Sequence, residues 1–373
     1  MKKLAAVFLW LIMIAVPFRT DATEQPAVSA ESYVLYCPQN GCFLLSKAPD
    51  KRMKPASTTK LMTTLLTLEE AAKNDRVITF TEKMQAEGSS MYLKFGEKLR
   101  LSDLAAGMMM CSGNDAANAC AIGISGSAEC FAVLMNEKCA RLGMKNTHFV
   151  TPSGLDDEEH YTTATDMAYL MAAALKNSSF RELTSQKRCS VSFVYPENKK
   201  TAYSNHNRLL SLYPYCTGGK TGYTEAAGRC LVSSAKKDGV ELICVTLNDR
   251  DDWNDHQRLY DYGFTSLKHK SYDGEKRLRL PCVGGDKDSV WVYAPGDSGI
   301  TAGADEIGTL TRKIYADGFL YAPVKKGQRV GQIEYSCGGK TLKTAPLVAD
   351  EEVKIQTAEH GFWQWIKDLF KHG

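Results

Sequence analysis

Three short polar motifs lie far apart in this 373-residue chain, and any fold it adopts has to bring them to a common purpose or leave them idle. They are Ser57-Thr58-Thr59-Lys60, Ser112-Gly113-Asn114 and Lys220-Thr221-Gly222, and the second and third each occur once. A serine hydroxyl is a poor nucleophile until a base removes its proton. On a helix an i, i+3 spacing sets the Lys60 amine on the same side as the Ser57 oxygen. An amine is a base only when burial or a second cation lowers its pKa. Leu61, Thr64, Leu65, Leu68 and Ala72 recur at helical spacing after Ser57, so the spacing predicts a helix over 57–73 with Lys60 beside its inward face. Ser-x-x-Lys alone is weak evidence, because it recurs at Ser233 to Lys236 and at Ser234 to Lys237. Those two run from a strand into a turn and are expected to be ordinary exposed residues.

The other motifs supply what serine acyl transfer still lacks. Ser112 can relay a proton to a leaving amine, and Asn114 offers an amide to a substrate carbonyl. Lys220 adds a second cation that attracts an anionic substrate and opposes protonation of Lys60. Gly218, Gly219 and Gly222 let a backbone approach a bound peptide. An oxyanion hole needs two backbone N–H donors, which the helix-start serine and a strand-edge residue beside these glycines can provide.

Around the motifs the chain reads as an exported, multidomain protein. Met1-Lys2-Lys3 followed by the apolar run Leu4 to Phe18 and small residues to Ala22 has the form of a secretory signal, residues 1–22. A net charge of +3 argues against duplex nucleic acid as a partner. The 12 cysteines lack the dense spacing of a stapled mini-domain. Cys37 and Cys42 flank an Asn-Gly turn, and the spacing leaves both a bridge and two free thiols open there. The seven histidines show no metal-ligand spacing, so no metal or cofactor is expected.

Strands are predicted at 32–36 and 42–46, helix over much of 99–142 with a break at 123–127, and helix at 165–176. A hairpin is predicted from Arg229 to Ala235 and Val240 to Leu247. These elements form one α/β domain, about 30–270. A smaller all-β domain follows at about 275–350, with strands at 290–293, 329–335 and 340–343 around a Gly338-Gly339 turn. Within 355–373, Phe362, Trp365, Ile366, Leu369 and Phe370 trace one face of an amphipathic helix. Interfacial membrane binding is favoured there over packing on the neighbouring domain.

With Ser112-Gly-Asn114-Asp-Ala-Ala, Leu142-Gly-Met-Lys-Asn-Thr-His-Phe149, Ser153-Gly-Leu155 and Thr163-Ala-Thr-Asp-Met-Ala168 beside the other two motifs, the chain resembles a known family. It is similar to the low-molecular-mass penicillin-binding proteins that are serine-type D-Ala-D-Ala carboxypeptidases, within the penicillin-recognising transpeptidase and β-lactamase superfamily. The resemblance implies an α+β domain, an antiparallel sheet flanked by helices, with the small β domain and tail helix. It implies Ser57 as acylated nucleophile, Lys60 as its base, and Ser112 and Asn114 as the second motif. Lys220, Thr221 and Gly222 would line the cleft, with the N–H groups of Ser57 and Tyr223 as oxyanion hole. The implied partners are peptidoglycan stem peptides ending in D-Ala-D-Ala, β-lactams as covalent inhibitors, and the outer face of the cytoplasmic membrane, held peripherally. For the group that grips the substrate's terminal carboxylate, Lys220, Arg229, Arg250 and His256 are the candidates. No Glu-x-x-x-Asn element lies between the second and third motifs, so a class A β-lactamase is disfavoured and penicillin is expected to inhibit. A DD-endopeptidase and an inactive wall-binding protein are the other readings.

Overall fold

The computed structural model describes residues 24–272, 277–296 and 299–356. The expected signal, 1–22, and all but the first two residues of the expected tail helix lie outside these. Strands β1 (Ser32–Cys37) and β2 (Cys42–Lys47) flank Pro38-Gln39-Asn40-Gly41, where Gly41 (φ +71°) donates its N–H to the Cys37 carbonyl at 3.0 Å. Cys37 and Cys42 are register partners, yet both thiols are free, the first buried and the second exposed.

A 3-10 turn, Ala56–Thr59, leads into α1 (Lys60–Ala71), so the helix proper begins three residues later than its periodicity predicts. A short ribbon pairs β3 (Val77–Thr79) with β4 (Lys98–Arg100). The predicted helical stretch is three helices, α2 (Leu101–Cys111), α3 (Asn114–Ser125) and α4 (Ala128–Leu142). The break that the apolar pattern misses is at Ser112, whose left-handed backbone (φ +61°, ψ +30°) ends α2. Caps fix the starts: Ser127 accepts from the Cys130 N–H, and Thr163 from the Asp166 N–H at the head of α5 (Ala164–Ala174). Next come α6 (Ser178–Ser185), the hairpin β5 (Arg188–Ser192) and β6 (Lys200–Ser204), and the single turn α7 (Leu209–Leu212).

The main sheet is completed by β7 (Cys216–Thr224), β8 (Gly228–Lys237) and β9 (Val240–Leu247), in the order β2-β1-β9-β8-β7, antiparallel throughout. The β8–β9 hairpin turns on two residues, Asp238 (φ +48°) and Gly239 (φ +82°), tighter than the four-residue turn predicted. Alternation assigns the faces. Val34, Val232, Ile243 and Val245 face a cluster with the helices before β7, while Leu35, Leu231, Leu242 and Cys244 face Leu259, Tyr260 and Phe264 of α8 (Asp252–Ser266). Burial on both sides is why β9 reads as an unbroken apolar run.

After β10 (Leu267–Lys270) the chain builds β11 (Arg277–Val283), β12 (Ser289–Tyr293), β13 (Ile300–Gly303), a short α9 (Ala304–Gly308), β14 (Thr311–Ala316), β15 (Leu320–Tyr321), β16 (Arg329–Cys337) and β17 (Lys340–Ala349). Six of these strands form a second sheet, ordered β14-β16-β17-β12-β11-β15, over its own core of Val290, Val292, Tyr335 and Leu347. β10 pairs with β13, tying the two units together.

Candidate active site

The three sequence motifs meet along β7, the edge strand of the main sheet. Gly222 lies on this strand against the turn that carries Ser57. A Cβ there would stand 2.9 Å from the Ser57 amide nitrogen and 3.0 Å from the Pro55 carbonyl oxygen, so a side chain would force strand and turn apart. From the opposite side, Ser112 and Asn114 enter at the α2–α3 junction. The left-handed Ser112 reverses the chain within two residues, and the Asn114 N–H is caught by the Ser89 carbonyl at 2.7 Å.

Lys60 is fully buried. Its Nζ has three oxygen neighbours: Ser57 Oγ at 2.8 Å, Asn114 Oδ1 at 2.7 Å and the Ser153 carbonyl at 2.6 Å. The Asn114 orientation is set by its Nδ2, which donates to the Glu87 carbonyl at 2.6 Å and leaves Oδ1 for Lys60. Two of the three neighbours can only accept, whereas the Ser57 hydroxyl can also donate. The ammonium form donates to all three; the neutral amine keeps two N–H donors for the Asn114 and Ser153 oxygens and turns its lone pair to the Ser57 hydroxyl proton. Burial, reinforced by the charge of Lys220, holds the Lys60 pKa well below the ordinary amine range. Lys220 is itself buried and donates to the Thr221 carbonyl at 2.8 Å, and desolvation brings its pKa down to about 7.

A third histidine-centred layer braces this arrangement, and sequence reasoning missed it. His160 Nδ1 accepts from the Val150 and Thr151 N–H groups at 2.9 and 3.2 Å, so Nε2 carries the proton and donates to Thr59 Oγ1 at 2.9 Å. Desolvation lowers its pKa to about 4. The same loop contains Gly154 (φ +82°), packed so closely on Ala56 that a Cβ would fall 1.9 Å from the Ala56 carbonyl oxygen. Nothing periodic marks His160 or Gly154 in the sequence; Gly154 falls within the family-like Ser153-Gly-Leu155, and His160 lies between that stretch and the one that begins at Thr163.

A cavity of about 480 Å³ opens above Ser57, lined by Ser89, Ser112, His206, Thr221, Gly222, Tyr223, Arg229, Asp252 and Trp253. Of the carboxylate-binding candidates, only Arg229 lines it. Its guanidinium donates to Asp252 at 2.5 Å and lies over Trp253. Arg250 is exposed and is not among the lining residues, and His256 is buried behind the sheet between Ser233 Oγ and Thr246 Oγ1. Ser233 and Ser234 are corrected too. Both are fully buried, not exposed, because β8 is an interior strand; they bond His256, Tyr260 and Thr217. Cys111 is half-buried, and desolvation pushes its thiol up to about 11. His206, Asp252 and Trp253 were not singled out from sequence, since they fall in loops or at a helix start without pattern.

Comparison with known proteins places the chain among one group of relatives. A family profile described as D-alanyl-D-alanine carboxypeptidase matches residues 19–251, and one described as penicillin-binding protein 5, C-terminal domain, matches 270–355. The chain is 32% identical to the D-alanyl-D-alanine carboxypeptidase DacF of Bacillus subtilis, over 92% of this chain and 90% of that protein. It is 33% identical to DacC of Escherichia coli, over 98% and 93%. Among solved structures it is similar to penicillin binding protein 5 from Haemophilus influenzae, with a TM-score of 0.70 and 31% identity over 89% of this chain and 99% of that one.

Proposed function

The chain belongs to the D-alanyl-D-alanine carboxypeptidase family, with the penicillin-binding fold and its C-terminal β domain, and from that premise we propose how its own residues act on a peptidoglycan stem peptide. It is a serine-type D-Ala-D-Ala carboxypeptidase. Ser57 Oγ attacks the carbonyl carbon of the penultimate D-alanine while its proton passes to the lone pair of neutral Lys60. The developing oxyanion is held by the backbone N–H groups of Ser57 and Tyr223. The C–N bond breaks, the leaving D-alanine nitrogen takes up the proton held by Lys60, relayed through the Ser112 hydroxyl beside Lys220, so that Lys60 is neutral again and an ester to Ser57 remains. Water then attacks the ester, giving up its proton to Lys60, which returns it to Ser57 Oγ as the ester C–O bond breaks and the shortened peptide departs. Arg229 receives the substrate's terminal carboxylate, with Lys220 and Thr221 on the strand beside it. β-Lactams enter the same way and leave slowly.

The observation that carries this reading is the fully buried Lys60 amine held 2.8 Å from Ser57 Oγ, with its pKa lowered by that burial and by Lys220. The purified protein should release D-alanine from diacetyl-Lys-D-Ala-D-Ala and take up fluorescent penicillin covalently. Ser57→Ala should do neither, and labelling that persisted in the variant would place the nucleophile elsewhere.

The cell-wall setting belongs to the same proposal: export by the N-terminal signal, peripheral attachment to the outer face of the cytoplasmic membrane through the tail, and a part in cell-wall biogenesis and cell shape. It is supported by the sequence patterns at the two ends. Deleting residues 361–373 should move the protein to the soluble fraction; unchanged membrane recovery would count against the tail.

A further inference from the structure

Tyr92 breaks two rules at once. It is a bulky aromatic residue with a left-handed backbone (φ +59°), a conformation that non-glycine residues of this size rarely hold, and its side chain is 81% exposed. Burial therefore offers no compensation for the strain.

The surroundings are built to keep it so. Asp115, itself buried, accepts from the Met91 N–H at 2.9 Å, the Leu93 N–H at 3.1 Å and the Ser90 hydroxyl at 2.7 Å. Ser90 Oγ in turn accepts the Tyr92 N–H at 2.8 Å, and the Tyr203 hydroxyl donates to the Met91 carbonyl at 3.0 Å. Met91 is buried. The residues on both sides of Tyr92 are thus pinned while its ring is held out in solvent. Strain kept up by such over-determined surroundings is a mark of a working position.

Its place in the fold says what the ring meets. Three residues earlier, Ser89 lines the active-site cavity and holds the Asn114 N–H. If D-Ala-D-Ala occupies the space between Ser57 and Arg229, an upstream peptide leaving by the Ser89 wall of the cavity runs toward Tyr92. We propose that Tyr92 is a specificity-determining contact for the diamino acid of the stem peptide, its ring lying against that residue's aliphatic side chain. This rests on the carboxypeptidase reading above.

Two peptides of equal length separate the possibilities: diacetyl-Lys-D-Ala-D-Ala and acetyl-Gly-D-Ala-D-Ala, which lacks the side chain. Tyr92→Gly relieves the backbone and removes the ring. It should raise KM for the lysine peptide about 5- to 10-fold at unchanged kcat, leave the glycine peptide within twofold, and not lower Tm. Tyr92→Phe should keep the wild-type ratio. Equal effects on both peptides, no effect on either, or a Tm loss of several degrees would overturn the proposal. Failure of the wild-type enzyme to release D-alanine from either peptide would instead remove the premise, and is read before any variant is compared.

Discussion

Gly154→Ala tests whether the Ser57 turn and the Ser153 carbonyl are held in place by one close backbone contact. The new methyl would fall 1.9 Å from the Ala56 carbonyl oxygen, 2.6 Å from its carbon and 2.8 Å from Thr59 Oγ1, where ordinary contact begins at 3.4 Å. Something has to give by about 1.5 Å at close-packed density. If the turn retreats, Ala56 takes the neighbouring Ser57 and its amide along. If the loop retreats, the Ser153 carbonyl leaves Lys60, which it meets at 2.6 Å. Either displacement harms the same step, and a misplacement of about 1 Å costs on the order of 100-fold in rate, or about 2.7 kcal/mol of barrier. The backbone angle adds roughly 1–2 kcal/mol to the folding cost. Gly143→Ala separates these terms, because Gly143 has a similar angle (φ +74°) with nothing within 4 Å of the added methyl. Stopped-flow acylation by a fluorescent penicillin, beside thermal unfolding, reads both. Gly143→Ala should lose a few degrees in Tm and acylate normally; Gly154→Ala should acylate about 100-fold more slowly. Acylation of Gly154→Ala within threefold of wild type, or equal slowing in Gly143→Ala, would refute the reasoning.

Because the Lys220 charge lowers the Lys60 pKa, Lys220→Gln should raise it and move the acid limb of the acylation profile to higher pH, whatever happens to the plateau rate; a limb that stays put or moves to lower pH would contradict this. Acid stability should depend on the buried His160 and His256, whose folded pKa values of about 4 and about 3 lie below their ordinary 6.5. Their contribution is intact above pH 6.5 and is lost as pH falls toward about 4 for His160 and about 3 for His256, amounting to about 2 kcal/mol each by pH 5. Asp249, its pKa raised to about 6 chiefly by burial, works in the opposite direction, so the check is the difference between proteins. In urea unfolding, His256→Gln should be less stable than wild type at pH 7.5 and lose about 2 kcal/mol less on going to pH 5; parallel losses would place the proton elsewhere.

The local content of this protein is legible along the chain. Ser57 and Lys60 lie three residues apart, which is enough to set hydroxyl beside amine once a helical turn forms, and they meet at 2.8 Å. The two-sided apolar run of β9, the capped starts of α4 and α5 and the Gly338-Gly339 turn follow equally from short-range preferences. The second helix boundary does not. Leu101 to Ser125 is apolar enough to read as continuous, whereas the left-handed backbone of Ser112 ends one helix and sets that residue at the cavity wall.

What tertiary structure alone decided is the charge state of the base and the shape of the space above it. Asn114 and Ser153 reach Lys60 across 54 and 93 residues, and His160 reaches Thr59 across 101. Arg229 is one cation among many in the sequence; Asp252, 23 residues on, fixes it at the cavity wall. Helical and strand periodicities are properties of neighbours and are therefore written locally. Desolvation and hydrogen-bond satisfaction depend on which distant groups exclude water from an atom, and only the packed fold sets that.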